Sequence, residues 1–260
     1  MPPNLERIGM GAFSGCRSLK EIFIPKSVVH IGPSAFVGCS SLESITVDED
    51  NAHYTSAGGM LMSKDMKEIL AYPDGRAGKV VIPSNVSSKK SSLRLIGKRY
   101  LTEIEVEAGN KAYTSLDGIL YNKGMTTLYV CPSGYEKEPE FPRSLKKIGD
   151  RAFFSCDKIK EIVLPPSVTH LGRDVFQGSE HLERVVFEGR IEELEGNPFE
   201  YCVSMKEVRF KNKLSPFLRK YRNEEGTNDF RIKVDRDYNF IEDDDEEKML
   251  EIRTVIDKNP

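Results

Sequence analysis

The chain has no run near the roughly 18 apolar residues needed to cross a bilayer as a helix, so insertion into a membrane is not expected. It lacks a surplus of charge of either sign. Its 38 Lys and Arg against 41 Asp and Glu leave a net −3, which argues against a nucleic-acid binder, since gripping a phosphate backbone takes clustered cations. No Walker loop, no G-x-S-x-G and no H-E-x-x-H occurs, so the common phosphate, serine-nucleophile and zinc-hydrolase patterns are missing. Histidine is scarce: His30, His53, His170 and His181 include no pair at metal spacing and none beside a nucleophile pattern, and they read as surface residues. No metal or cofactor is expected, and the chain is not expected to be an enzyme.

An export signal is also missing. The opening PPNLERIGMGAF (2–13) aligns without a gap on PPSVTHLGRDVF (165–176), so the chain starts in mid-repeat. The expectation is a fragment of a longer array, for which a missing leader says little about compartment.

What is present is a period. Phe13 and Phe36 are 23 residues apart, as are Phe153, Phe176 and Phe199. The apolar slots Leu5, Ile8, Ala12, Phe13, Leu19, Ile22 and Ile24 recur as Val168, Leu171, Val175, Phe176, Leu182, Val185 and Phe187. A fixed period in the 20s marks a solenoid, whose coils use one another as core. Ile22-Phe23-Ile24 alternates with period 2 and is followed by Pro25, which suits a short half-buried strand. The spacing predicts parallel strands at Ile22–Ile24, Ile45–Val47, Ile104–Val106, Ile162–Leu164, Val185–Phe187 and Val208–Phe210. The Ala-Phe-x-x-Cys segment opposite is expected to be a helical or 3₁₀ turn. In the degraded third coil, SSLRLIGKRYL (91–101), Leu93, Leu95 and Ile96 are expected to fill the Phe slot.

Two insertions, at about 48–79 and 107–139, resemble each other with a constant offset of 59 between Tyr54 and Tyr113, Gly59 and Gly118, and Pro73 and Pro132. Alternating stretches around Lys64-Asp65 and Asn122-Lys123-Gly124 read as β-hairpins. The array is expected to run as one solenoid over residues 1–234, with a degenerate closing coil at 211–234. An acidic extension carrying a short helix follows at 235–260.

Cys16, Cys39, Cys156 and Cys202 share one repeat slot and are expected to be buried free thiols, because a ladder of ligands cannot converge on one metal ion. Cys131 lies outside that slot, in the second insertion, and is the first candidate of the five if any thiol is reactive.

The outward strand positions form columns. One reads Glu21, Ser44, Glu103, Glu161, Arg184, Glu207; another reads Phe23, Thr46, Glu105, Val163, Val186, Arg209. The first is either a mixed-charge docking surface or a self-neutralised salt-bridge ladder. The second offers exposed apolar groups for a partner. On the insertions, Tyr54, Tyr113 and Tyr121 are candidate protein or sugar contacts, or else pack the hairpins onto the solenoid.

LKEIFIPKSVVHIGPSAFVGC (19–39) and IKEIVLPPSVTHLGRDVFQGS (159–179), with the N-x-x-Y-x-S…G-x-L-Y insertion motif, resemble the BspA-like leucine-rich repeats over about residues 2–210. The third coil and the tail depart from that pattern. The resemblance implies an α/β, β-rich, right-handed leucine-rich-repeat solenoid with a parallel concave sheet, short helical or 3₁₀ turns on the convex side and two β-hairpin insertions. It also implies a non-catalytic recognition module of a bacterial surface or secreted protein, acting in adhesion or host interaction through a protein or glycan ligand. A structural spacer within a longer repeat protein is the alternative.

Overall fold

The computed structural model describes residues 1–2 and 4–210, and the chain divides into two compact units, Met1–Lys123 and Gly124–Pro260. The closing coil expected at 211–234 and the helix at 235–260 lie outside the described residues.

In chain order the first unit carries β1 (Arg7–Ile8), β2 (Glu21–Ile24), β3 (His30–Ile31), β4 (Ser44–Val47), β5 (Tyr54–Ala57), β6 (Met60–Ser63), β7 (Ile69–Ala71), β8 (Gly78–Ile82), α1 (Lys90–Leu93), β9 (Leu101–Val106), β10 (Tyr113–Leu116) and β11 (Ile119–Asn122). β2 lies parallel to β4 with Ile22 opposite Ile45, and β8 lies parallel to β9 with Val80 opposite Ile104. Alternation sends Ile22, Ile24, Ile45, Val80, Ile82 and Ile104 into the core, as a pleat with one buried face requires.

A second parallel row, β1 against β3, pairs Arg7 with His30 and Ile8 with Ile31. Strands of two residues leave no alternation long enough to read in a sequence. Gly32 follows β3 because the coils touch there: a Cβ would sit 2.5 Å from the backbone nitrogen of Met10.

The first insertion has three strands rather than the expected two. β5 pairs antiparallel with β6 across Gly58-Gly59, and β6 pairs antiparallel with β7 across the Lys64-Asp65 turn. Gly58 and Gly59 both have positive φ, 53° and 75°, the geometry of a tight hairpin turn that matches strand twist. β10 and β11 repeat the first of these hairpins. The insertions also occupy the outer edges of the strand pairs. Ile45 N–H donates to Gly59 O at 2.9 Å and Val47 N–H to Ser56 Oγ at 3.2 Å. Ile104 and Val106 do the same with Gly118 O and Ser115 Oγ. β4 and β9 therefore end their sheets, because the backbone groups that would continue them are taken.

The Ala-Phe-x-x-Cys segments are turns closed by three-residue bonds of the 3₁₀ type, and they are not continued as helices. Ala12, Ser14 and Cys16 N–H close isolated turns onto Gly9, Gly11 and Phe13, while Gly11, Phe13 and Gly15 N–H reach across to Pro33, Ala35 and Val37 of the next coil. Every second donor is thus spent between coils, whereas a helix keeps all its donors along its own axis. Among the described residues the one helix is α1, four residues long. In the third coil Leu95 is buried, but Leu93 is exposed and Ile96 only half-buried, so the expected three-residue plug reduces to Leu95.

The second unit carries β12 (Thr127–Val130), β13 (Lys147–Ile148), β14 (Glu161–Leu164), β15 (His170–Leu171), β16 (Arg184–Phe187), β17 (Glu193–Leu194) and β18 (Glu207–Phe210). β14, β16 and β18 form a parallel sheet in 23-residue register, and β12, β13, β15 and β17 form the second row. Between them runs a stack of rings: Phe141, Phe153, Phe176 and Phe199 have successive centroids 6.2, 5.5 and 5.3 Å apart.

Candidate functional site

The outward face of β14, β16 and β18 brings the predicted charge column together. In-register pairing places Arg184 between Glu161 and Glu207. Its guanidinium pairs with Glu161 through Nη1 and with Glu207 through Nε at 2.7 Å, and Arg209 Nε pairs with Glu207 at 2.9 Å. Just before β16 and β18, Lys206 Nζ lies 2.7 Å from Glu183. The hydrogen bond that Arg184 donates to Glu207 raises the Arg184 pKa, and the one that Glu183 accepts from Lys206 lowers that of Glu183. Such surface pairs contribute about 0–1 kcal/mol each. Their effect is to hold long side chains in place on the outward face.

Val163 is exposed on this face, but Val186 is not. The repeat places it outward, yet it is only 2% exposed. Its strand is the middle one of three, so Val163 flanks it on one side and the half-buried Arg209 on the other. A central position is covered from both sides where an edge position is not.

In the first unit Phe23 stands 53% exposed on β2, opposite Thr46. Glu105 on β9 is paired with Lys79 at 2.6 Å and faces exposed Val81 on β8. Val81 belongs to the same outward column but lies on a strand that the spacing had not singled out.

The tyrosines of the insertions face inward. Tyr113 and Tyr121, candidate contacts from the sequence, are buried. Tyr54 is half-buried and its hydroxyl accepts from Ile31 N–H at 3.0 Å, while the Tyr113 hydroxyl donates to Ser88 O at 2.6 Å. An amphipathic ring with its polar tip bonded to the preceding coil fastens the insertion. Two residues passed over in the sequence reinforce this: Asn51 and Asn110, both buried, bond to the coil before each insertion.

The cysteine slot divides. Cys39 Sγ donates to Phe13 O at 2.9 Å and Cys202 Sγ to Phe176 O at 3.1 Å, each reaching the Phe carbonyl one coil earlier. Ser179 makes the same bond to Phe153 O at 2.7 Å. Cys16, expected to be buried, is exposed, because among the described residues no coil covers that side of it. Cys131 is not the accessible thiol that its place in an insertion suggested. It is buried, and burial pushes its pKa well up; burial pushes Cys202 up to about 12. A reactive thiol needs a lowered pKa and access. Among the described residues no group of three or more His, Cys, Asp or Glu is arranged to hold a metal ion, and no helix is long and apolar enough to cross a membrane.

The family description "BspA type Leucine rich repeat region" matches in six copies over residues 1–68 and 133–221. No curated protein matches. Among solved structures, the chain is similar to a leucine-rich repeat protein from Eubacterium ventriosum at 20% identity and TM-score 0.52, covering 81% of this chain and 66% of that one. It is similar to the pneumococcal vaccine antigen PcpA at 26% identity and TM-score 0.50, covering 82% and 50%. The chain therefore spans 66% of the first of these proteins and 50% of the second.

Proposed function

This chain belongs to the BspA-type leucine-rich-repeat family, and from that premise we propose that it is a non-catalytic recognition module of a bacterial surface or secreted protein, binding a protein or a glycan on its outward strand columns. The observation that carries the reading is Phe23. Its ring is exposed while its neighbours Ile22 and Ile24 are locked in the core. A large exposed ring on a backbone already fixed by buried neighbours offers apolar area without ordering of the chain on binding, which is the property of an interface anchor. In the second unit Val163 and Arg209 occupy the same repeat position as Phe23, and the paired charges of Glu161, Arg184 and Glu207 stand two residues before it. The likeness to a vaccine antigen supports placement at the cell surface.

The test is titration of the purified chain against a panel of extracellular matrix proteins and mucin glycans by interferometry. The expected result is a saturable ligand whose affinity falls at least about tenfold with Phe23→Ser or with combined Glu161→Lys, Arg184→Glu and Glu207→Lys. Affinity unchanged by both would remove the strand columns from the reading. The closed ion pairs around Arg184 favour a second reading, a structural spacer whose surface charges satisfy one another. In that case the same substitutions change stability and no ligand is found.

A further inference from the structure

The ladder of turns in the first unit is interrupted after its second coil. Gly11, Phe13 and Gly15 N–H donate to Pro33, Ala35 and Val37 O at 3.1, 2.8 and 2.9 Å. The equivalent donors one coil later are those of Ser34, Phe36 and Gly38. Asp74 Oδ2 accepts from Gly38 N–H at 3.0 Å. Among the described residues nothing accepts from Ser34 or Phe36 N–H. In the second unit the full set appears one coil earlier, where Arg151, Phe153 and Ser155 N–H reach Arg173, Val175 and Gln177 O. In the next coil Phe176 N–H reaches Pro198 O and Gly178 N–H reaches Glu200 O, both at 2.9 Å, while Asp174 N–H, the counterpart of Ser34, has no acceptor among the described residues.

The cause lies in the first insertion. It follows the second coil directly, and its end, Ala71-Tyr72-Pro73-Asp74-Gly75, is hydrogen-bonded to that coil, among the described residues, only through Gly38 N–H on Asp74 and Gly75 N–H on Leu42 O, where a complete Ala-Phe turn would bond at each rung. A notch of about 310 Å³ remains, walled by Phe36, Leu61, Tyr72 and Leu93, with Arg94 and Lys98 also lining it.

The ring stack stops at the same place. Phe13 and Phe36 stack with centroids 5.7 Å apart and planes 12° apart, and Phe36 then lines the notch. In the second unit the stack continues through Phe153, Phe176 and Phe199. The charges in the notch are uneven as well. Lys98 is paired with Asp74, while among the described residues the exposed Arg94 has no carboxylate partner.

We propose that this notch binds a short peptide segment of a partner protein, one carrying an aromatic residue close to an acidic residue. The segment takes the place of the absent turn. Its carbonyls one and three residues before the aromatic accept from Phe36 and Ser34, following the Phe13–Ala35 and Gly11–Pro33 bonds. Its ring lies against Phe36, and its acidic side chain meets Arg94. Two donors whose counterparts bond carbonyls two residues apart run side by side rather than converging, so one phosphate or carboxylate cannot take both. The volume is at the low end of the roughly 300–1,000 Å³ of ligand pockets, which suits one ring and its backbone. This site is separate from the strand columns, so its failure leaves the recognition reading untouched.

The experiment is amide-shift titration of the isotope-labelled full chain with acetyl-Glu-Pro-Ser-Ala-Phe-amide. Saturable shifts of the Ser34 and Phe36 amides are expected, with a dissociation constant on the order of millimolar for so small a ligand. Replacing the peptide's Phe by Ala, or substituting Leu93→Asp in the protein, weakens binding at least about tenfold. Arg94→Glu weakens the Glu peptide but not its Gln counterpart. Leu93 and Arg94 are both exposed, and an unchanged amide spectrum verifies that the variants fold. The proposal is overturned if shifts do not saturate or map elsewhere, or if the variants bind like the parent. It is equally overturned if inorganic phosphate reproduces the same shifts.

Discussion

Asn51 and Asn110 make the same four hydrogen bonds at equivalent places in two coils. The Asn51 amide donates to Pro25 O and Val28 O at 2.9 and 3.0 Å, and its oxygen accepts from His53 and Tyr54 N–H, both at 2.8 Å. Asn110 repeats this with Pro83, Val86, Ala112 and Tyr113. Each buried amide joins an insertion to the coil before it. Truncation to Ala leaves buried backbone groups without partners, so Asn51→Ala and Asn110→Ala should each cost about 3 kcal/mol. Exposed Asn85→Ala should cost less than about 0.5 kcal/mol. Urea denaturation of the three variants measures the difference.

The bond from the cysteine slot to the preceding Phe carbonyl accounts for the presence of both Cys and Ser there. Ser179→Cys keeps a donor aimed at Phe153 O and should change stability by less than about 1 kcal/mol. Ser179→Ala orphans that carbonyl and the Cys156 N–H that Ser179 Oγ accepts at 3.1 Å; a loss of about 2 kcal/mol is expected. Thermal and urea denaturation should rank the parent and Cys variant together, above Ala.

Thiol accessibility should separate residues that share a repeat position. Iodoacetamide should label Cys16 in the native protein, while Cys39, Cys131, Cys156 and Cys202 react only after unfolding. Peptide mapping after a short exposure reads this directly. Rapid native labelling of Cys131 would contradict its burial.

Alkaline pH should destabilise the fold through the same burial. The Cys202 thiol rises from 9.0 to about 12. Below pH 9 it is protonated in both states and its full contribution is present. Between about 9 and 12 only the unfolded thiol ionises, so stability falls by about 1.4 kcal/mol per pH unit. Tyr72, raised from 10.0 to about 12, adds a loss that begins one unit higher. Cys131, raised by the same burial, contributes from the same pH, so Cys202→Ala should lessen but not abolish the decline that starts near pH 9, as measured by denaturation at stepped pH.

Arg184 is held by two carboxylates on an open face. Arg184→Ala should cost about 1 kcal/mol, and most of that should vanish in about 1 M salt, where screening reaches within a few ångströms. A cost unchanged by salt would assign the effect to packing of the aliphatic stem over its strand.

The strands were legible where the chain alternates. Ile22-Phe23-Ile24 and Glu161-Ile162-Val163-Leu164 carry their pattern locally, and β2 and β14 lie where it put them. The charge column was legible too, because a constant period fixes which outward residues become neighbours. The two-residue strands at Arg7–Ile8 and His30–Ile31 were not, nor was the turn geometry. Their hydrogen bonds run between coils, and no local pattern of side chains records them.

The sequence by itself determined the period, and with it which residues occupy equivalent slots: Phe13 with Phe36, Cys16 with Cys39, Val163 with Val186. Only the tertiary structure decided which members of each set are covered. Val163 and Val186 share a slot, yet one is exposed and the other buried. Cys16 and Cys39 differ in the same way. A side chain in a solenoid is buried by the coil on either side, 23 residues away in a regular array. Its environment therefore depends on whether that next coil is regular, as after Phe176, or is replaced by an insertion with a shorter turn, as after Phe36.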